Sequence, residues 1–247
     1  MDLRNTWLVT QPIAHMGIYN TTDKPENSLA AIKAAISKAH PFEIDVMLSS
    51  DDEVIVFHDA RLARMTGADG YTAGTALADL KKLRLGSSSE TIPTLKEVLE
   101  LVKGKVPVLI EIKARSSRNA GVLEQAVMNC LKGYNGEYAI QSYNPLTIEW
   151  LKKHYPEVKR GLISGYFKLP NEKEATGWLI RFVLKRMWMV KRTKPHFICY
   201  DSTYIPNRHL RKTRKLPLLA YGVKTQTRHN ELLKYADNVI FEGYEPK

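Results

Sequence analysis

Six ionisable side chains lie within or directly after short apolar runs in the first half of the chain: His15, Glu43, Asp45, His58, Glu111 and Lys113. Glu43 and Asp45 are two residues apart, so in an extended strand both side chains point to the same face, and Glu111 and Lys113 repeat this spacing. Ionisable groups inside buried strands are costly unless they are paired or bind a metal. One such residue is often only a buried ion pair, but six of them at the ends of strands indicate a site.

The residue types define the chemistry that this site could perform. Three carboxylates without a cysteine partner offer hard oxygen ligands, which suit Mg²⁺ or Ca²⁺ rather than zinc. Two imidazoles can exchange protons near neutral pH, and a lysine offers a compact positive charge to a phosphate oxygen. Displacement at a phosphodiester needs charge neutralisation, an activated nucleophile and a protonated leaving group, and a metal, a lysine and two histidines supply all three.

Strands and helices that alternate along the chain must position these residues. Apolar or alternating segments predict strands at residues 12–15, 42–48, 54–57, 106–112, 138–142, 159–163, 197–200, 216–221 and 238–241. Helical patterns lie between them, at residues 27–38, 94–102, 121–131, 145–154, 172–190, 206–212 and 228–235. Repeated β-α units predict a parallel sheet, and about eight strands with one extra hairpin strand fit a closed (β/α)₈ TIM barrel better than an open sheet.

Two further features complete the predicted fold. Residues 61–92 are rich in Gly, Ser and Thr and predict a small insertion after the early strands, with a short helix near 79–83. No Pro-, Gly- or Ser-rich linker divides the chain, so we expect one barrel domain over residues 1–247. In such a barrel the six ionisable residues fall at the C-terminal ends of early strands, where barrel enzymes place their active sites.

The composition is ordinary for a globular protein, with 44% hydrophobic and 26% charged residues. No segment reaches the roughly 18 unbroken apolar residues of a spanning helix. The first eleven residues contain Asp2 and Arg4 and no apolar core of a signal peptide, so we expect a cytoplasmic protein. Cys130 and Cys199 both lie in apolar runs and do not form a cysteine pair at metal-binding spacing, which argues against a disulfide framework or a zinc site.

The net charge of +11 is compatible with a Lys-rich surface, an anionic small-molecule substrate, an anionic membrane or nucleic acid. The charge alone does not distinguish these interpretations. Residues 181–194 concentrate the charge, with six basic side chains and no acidic one. This segment is either an outer barrel helix or a basic amphipathic helix that makes peripheral contact with anionic membrane. Basic and aromatic residues do not interleave as in single-strand-binding proteins, so we expect no nucleic-acid partner. The sequence does not indicate an oligomeric state.

Several short motifs resemble one family in their order and spacing. They are residues 13–17 (IAHMG), 25–28 (PENS), 43–46 (EIDV), 56–59 (VFHD), 92–95 (IPTL), 110–113 (IEIK), 141–145 (QSYNP) and 236–240 (ADNVI). Together they resemble the glycerophosphodiester phosphodiesterases, over a span from about residue 13 to residue 242. Each motif alone is weak, whereas the ordered set is specific.

The resemblance implies a TIM barrel that hydrolyses a small-molecule glycerophosphodiester to glycerol 3-phosphate and an alcohol. It implies that the glycerol 2-hydroxyl attacks first and that water then opens a cyclic phosphate. It also implies the roles of individual residues: His15 and His58 as the catalytic acid and base, Glu43, Asp45 and Glu111 as ligands of a divalent metal, Mg²⁺ or Ca²⁺, and Lys113 as a phosphate contact.

The sequence departs from the family pattern at two places. Met16 stands where the family usually has Arg, so a bidentate phosphate contact is missing. Tyr221 and Gly222 stand where the family often has Trp and Thr, and Tyr221 either stacks on the substrate or belongs to the core. These changes leave open a lysophospholipase D activity on lysophospholipids and a barrel that binds phosphodiesters without turnover. We expect the negative charge of Glu26 to interact favourably with the positive end of the dipole of the helix that follows it.

Overall fold

Eight parallel strands close into a barrel in the computed structural model, which describes residues 3–113, 120–166, 182 and 184–247. The strands are β1 (Ile13–Ala14), β2 (Phe42–Leu48), β4 (Val108–Ile112), β5 (Tyr138–Ser142), β6 (Arg160–Ser164), β7 (Phe197–Asp201), β8 (Leu218–Val223) and β9 (Asn238–Phe241). They follow one another in sequence order, and β1 closes the barrel by pairing with both β2 and β9. β3 (Val54–Val56) adds an antiparallel hairpin strand to β2. The predicted (β/α)₈ barrel is therefore confirmed.

Helices follow the strands as local sequence signals predict. The longer ones are α2 (Leu29–Ser37), α5 (Leu95–Val102), α6 (Val122–Leu131), α7 (Pro145–His154) and α9 (Gln226–Leu232). Thr94 begins α5 with a capping box, because its side chain accepts from the Glu97 amide while the Glu97 carboxylate accepts from the Thr94 amide. Asn144 caps α7, with proline at the first helical position. These caps fix where each helix begins relative to its strand.

Side chains on each strand alternate between the helix layer and the barrel interior. Ile110 and Ile140 pack outward among the helices, whereas Leu109 and Ala139 lie in the inner cluster. The amino-terminal end of the barrel is sealed by α1 (Trp7–Thr10), a short helix that the sequence patterns did not predict. Because the inner rows are apolar at this end, the polar residues of the same rows collect at the carboxyl end.

The insertion lies between β3 and α5. It contains α3 (Ala63–Thr66), a 3₁₀ turn (Thr72–Gly74) and α4 (Leu77–Leu80), and its apolar residues pack with Met47 of β2 and Ile55 of β3 in a separate small cluster. The short helix predicted near 79–83 is therefore present but begins two residues earlier. The insertion carries His58 and the residues that hold it.

Two helix predictions were wrong in detail. Residues 167–181 and 183 lie outside the described part of the chain, but the helix predicted for 172–190 ends at Lys185. Residues 186–189 form turns, with Met187 left-handed at φ 56°, and a separate α8 (Val190–Thr193) follows. A continuous amphipathic helix over 181–194 is therefore excluded. The helix predicted for 206–212 is a 3₁₀ helix (Arg208–Thr213).

The remaining helix of the described chain, α9, begins two residues earlier than predicted, because Thr225 caps it. Among the described residues, none of the helices is long and apolar enough to cross a bilayer.

Candidate active site

Three carboxylates meet at the carboxyl end of the barrel, as the sequence predicted. Glu43 and Asp45 lie on β2, and Glu111 lies on β4 directly beside Asp45. One oxygen from each lies within 4.8 Å of the others, and all three side chains are buried. All three ligand atoms are carboxylate oxygens, so this group has the composition of a site for a hard divalent cation.

Lys113 lies against two of these carboxylates. Its Nζ atom is 3.1 Å from Asp45 Oδ1 and 2.8 Å from Glu111 Oε1. One ammonium group does not neutralise three buried carboxylates, and Glu43 Oε1 is buried without a hydrogen-bond partner among the described residues. The three carboxylates therefore fit a divalent cation, which would supply the missing positive charge.

The protonation of the carboxylates follows from their surroundings. Burial, then the negative charges of Asp45 and Glu111, raise the pKa of Glu43 well above its usual value. Burial also raises the pKa of Glu111. Burial opposes ionisation of Asp45 too, but Lys113, then His58 and His15, hold its pKa below the usual range. A cation binds the ionised carboxylates, so its binding here is expected to weaken as the pH falls.

His15 follows β1 and is held by a carboxylate from the other end of the chain. Its Nδ1 lies 2.8 Å from Oε2 of Glu242, and its Nε2 lies 3.9 Å from Oε2 of Glu43. Tyr19 donates its hydroxyl to the same Glu242 oxygen at 2.8 Å. The hydrogen bond from His15 lowers the pKa of Glu242 to about 2 although burial opposes this. With Nδ1 anchored, Nε2 is the ring nitrogen that faces the carboxylates.

His58 follows β3 and is anchored in the same way by its neighbour. Its Nδ1 lies 2.6 Å from Asp59 Oδ1. Arg64 on α3 binds Asp59 through Nε and binds Glu26 through both terminal nitrogens, at 2.8 and 2.5 Å. Glu26 thus pairs with Arg64, a role that the sequence did not indicate. The bonds from His58 and Arg64 keep the pKa of Asp59 below its usual value, although burial opposes this.

A tight turn after His15 supports two of the buried carboxylates. Met16 is left-handed at φ 53°, and its backbone N–H donates to Oε2 of Glu43 at 3.3 Å. Gly17 is also left-handed, and a Cβ there would lie 2.8 Å from the Ala31 backbone, so only glycine fits. Asn27 donates to Oδ2 of Asp45 at 2.9 Å and accepts from the Asp45 amide at 3.2 Å. The Met16 side chain itself is buried.

Two tyrosines meet across the barrel mouth. The hydroxyls of Tyr143, after β5, and Tyr221, on β8, are 2.7 Å apart, and their rings meet edge to face. Burial first, then Tyr221 and the Glu111 carboxylate, raise the pKa of Tyr143. The substrate-binding role predicted for Tyr221 stays a prediction.

Four residues at the site were not predicted from the sequence: Glu242, Asn27, Asp59 and Tyr143. Asn27, Asp59 and Tyr143 lie within motifs that carry the family resemblance, but none of them is an ionisable side chain inside an apolar run. Glu242 had a signal: it is an acidic residue directly after the last apolar strand, the same criterion that selected His58. Its partner became evident only once β9 lay beside β1.

The fold and the polar groups define a (β/α)₈ barrel protein with its site at the carboxyl ends of the strands. The model of the Glycerophosphoryl diester phosphodiesterase family matches residues 19–241. The chain belongs to this family, which confirms the resemblance seen in the motifs.

Individual relatives agree with this assignment. The chain is 36% identical over 164 residues to the glycerophosphodiester phosphodiesterase of Caldanaerobacter subterraneus subsp. tengcongensis, which covers 62% of this chain and 66% of that protein. It is 31% identical over 161 residues to a putative glycerophosphodiester phosphodiesterase of Bacillus subtilis, covering 62% and 65%. The alignments thus span just under two thirds of these relatives.

A solved structure is similar over almost the whole fold. An Oleispira antarctica phosphodiesterase in complex with the product sn-glycerol-3-phosphate superposes with a TM-score of 0.78 and 25% identity. The match covers 95% of this chain and 93% of that chain.

Proposed function

We propose that the protein is a metal-dependent phosphodiesterase that hydrolyses glycerophosphodiesters to glycerol 3-phosphate and an alcohol. The observation that carries this proposal is the arrangement of three buried carboxylates beside two imidazoles, each of which is anchored at Nδ1 by a further carboxylate. The relatives named above and the product held by the Oleispira antarctica protein support the same substrate class.

Glu43, Asp45 and Glu111 would hold the divalent ion, Mg²⁺ or Ca²⁺. When bound, such an ion supplies Lewis-acid neutralisation of a phosphate oxygen. Lys113 lies against two of the ligands, so its ammonium group is within reach of a second phosphate oxygen. Both contacts would favour the extra negative charge that develops at phosphorus.

His15 and His58 would move the protons. Each ring donates its Nδ1 proton to a carboxylate, so each presents Nε2 to the substrate as either base or acid. In the proposed route one imidazole takes the proton of the glycerol 2-hydroxyl as this oxygen attacks phosphorus, and the other protonates the departing alcohol. The roles then reverse, and water opens the cyclic phosphate to glycerol 3-phosphate.

The test is a comparison of histidine variants on glycerophosphocholine. We expect wild-type protein and His154→Ala to release glycerol 3-phosphate at the same rate, because His154 is exposed at the end of α7. We expect His15→Ala and His58→Ala to lose most of that release. Release that survives in both site variants would contradict the proposed acid-base pair.

A second candidate substrate is a lysophospholipid presented by a membrane. Phe182 and Trp188 are exposed, their rings meet edge to face at 5.5 Å, and the Arg186 guanidinium lies 3.6 Å above the Phe182 ring. Ser164, the last residue of β6, donates to the Leu184 carbonyl at 2.9 Å and places this surface beside the barrel mouth. Exposed aromatic groups among cations favour an anionic lipid interface.

Two measurements distinguish this candidate. We expect Trp188→Ala to reduce sedimentation with anionic vesicles, whereas Leu233→Ala, which removes an equally exposed apolar side chain elsewhere, leaves it unchanged. Headgroup release from lysophosphatidylcholine is then compared with release from glycerophosphocholine. Equal behaviour of the two variants, with no preference for the acylated substrate, removes this candidate.

A further inference from the structure

Gln141 is a buried polar residue at the barrel mouth that has no role in the proposed reaction. It lies on β5, its side chain is 2% exposed, and its Oε1 atom has no hydrogen-bond partner among the described residues. A buried amide oxygen without a partner is costly, and native structures retain few of them. Such a group points to a ligand that satisfies it.

The strand register shows where the Gln141 side chain points. Gln141 is paired with Glu111 on the neighbouring β4, so both side chains lie on the same face of the sheet. Two residues earlier on each strand, Ala139 and Leu109 belong to the inner apolar cluster. Gln141 therefore points into the barrel, one strand spacing of about 4.8 Å from Glu111.

The other neighbour of Gln141 offers it no polar partner. On β6 the paired residue is Gly161, and the ring of Phe197 fills the space where a side chain at Gly161 would be. The amide is thus flanked by an aromatic ring on one side and by the carboxylates on the other. A partner for Oε1 must come from the side of Glu111.

Four buried oxygens collect at this place in the described chain: Glu43 Oε1 and Gln141 Oε1, which have no hydrogen-bond partner there, and Asp45 Oδ1 and Glu111 Oε1, which pair with Lys113. They lie on three consecutive barrel strands, β2, β4 and β5. Lys113 faces two of the carboxylate oxygens, but no donor among the described residues satisfies Gln141. Oxygens that face one another repel unless a cation or a donor lies between them.

We propose that Gln141 supplies a fourth oxygen ligand to the divalent ion held by Glu43, Asp45 and Glu111. The inference rests on the metal site of the proposed function and adds a ligand to it. Ca²⁺ takes six to eight oxygens, including amide carbonyls, whereas Mg²⁺ keeps several of its waters. A fourth protein oxygen therefore favours the larger ion.

Calorimetric titration of the metal-free protein with Ca²⁺ and with Mg²⁺ tests this ligand. Gln141→Met keeps the length of the side chain and removes its oxygen, and Gln125→Met makes the same change on the exposed surface of α6. We expect the Kd for Ca²⁺ to rise at least tenfold in Gln141→Met, a size seen for groups that support a metal site. The Kd for Mg²⁺ should rise less, and the Gln125→Met control should match wild type.

Two further measurements separate a lost ligand from a misfolded variant: the melting temperature of Gln141→Met and the Ca²⁺ affinity of Gln141→Glu. Metal-free Gln141→Met should melt no lower than wild type, because it loses an unsatisfied buried group. Gln141→Glu, which restores an oxygen, should retain Ca²⁺ binding and covers the case in which the Met variant does not fold. An unchanged Ca²⁺ affinity in Gln141→Met, or an equal loss for both ions, overturns the ligand role while leaving the metal site intact. If wild type binds neither ion, the metal site of the proposed function fails as well.

Discussion

Nδ1 of His15 lies 2.8 Å from Oε2 of Glu242, a residue 227 positions later in the chain. The contact exists because β1 and β9 pair where the barrel closes, with Ala14 beside Phe241, so the residues that follow both strands meet. One catalytic candidate therefore depends on closure of the whole barrel. His58 is anchored by its own neighbour, Asp59, and needs only the hairpin and the insertion.

We expect Glu242→Gln to lower kcat at least tenfold. A neutral amide no longer fixes the Nδ1 proton of His15, so the ring populates the wrong tautomer and acid-base assistance, typically worth about 10² or more, is partly lost. Glu245→Gln is the control, because that carboxylate is exposed and pairs with Lys38. Steady-state kinetics on glycerophosphocholine measure kcat of both variants, and equal values would rule out the anchoring role of Glu242.

The same carboxylate predicts a pH dependence of stability. The folded pKa of Glu242 is about 2, below its ordinary value of 4.5, so its contribution to stability is complete above about pH 5 and is lost as the pH falls towards 2. Wild type should therefore lose about 1–2 kcal/mol more than Glu242→Gln between pH 6 and pH 3, after allowance for solvent screening at the barrel mouth. Urea unfolding at both pH values measures the difference. Parallel losses in the two proteins would contradict it.

For the second histidine, we expect His58→Ala to lower turnover by about 10² or more. Folding should be retained, because the ring is 38% exposed and fills no part of the apolar core. Asp59→Asn should give a smaller loss, since it weakens only the anchor of the ring. Near-normal turnover of His58→Ala with an unchanged melting temperature would show that its role is wrong.

The sequence predicted much of the barrel because parallel strands are buried on both faces and stand out as apolar runs. Strands 42–48 and 138–142 and helix 145–154 have the predicted bounds. The six ionisable residues stood out for the same reason, since charges inside apolar runs are rare.

The rest depends on contacts that no local pattern encodes. Glu242 takes its role from β1, 227 residues away, and Asn27 takes its role from hydrogen bonds to Asp45. The prediction of a helix through residue 190 was wrong because Met187 has a left-handed backbone conformation, which interrupts a helix. The helical spacing of the basic and apolar residues around it does not reveal this turn.

Met16 gives a prediction about the phosphate contact. We expect Met16→Arg to raise kcat/KM on glycerophosphocholine roughly tenfold, because a charged hydrogen bond to phosphate is worth about 1.5–3 kcal/mol. The backbone bond from Met16 to Glu43 does not involve the side chain and should survive. The same variant is assayed on lysophosphatidylcholine, where a selective loss would make Met16 a specificity element. No change on either substrate would show that the side chain does not face the phosphate.

The proposed catalysis needs a cation bound by Glu43, Asp45 and Glu111, so its dependence on added metal is the decisive measurement. Protein stripped with EDTA should release no glycerol 3-phosphate from glycerophosphocholine, and addition of Ca²⁺ or Mg²⁺ should restore the release. Glu111→Gln should fold and fail to respond to either ion, because it removes one charge from the buried group. Release of glycerol 3-phosphate at the full rate in the presence of EDTA would show that these carboxylates do not act through a metal.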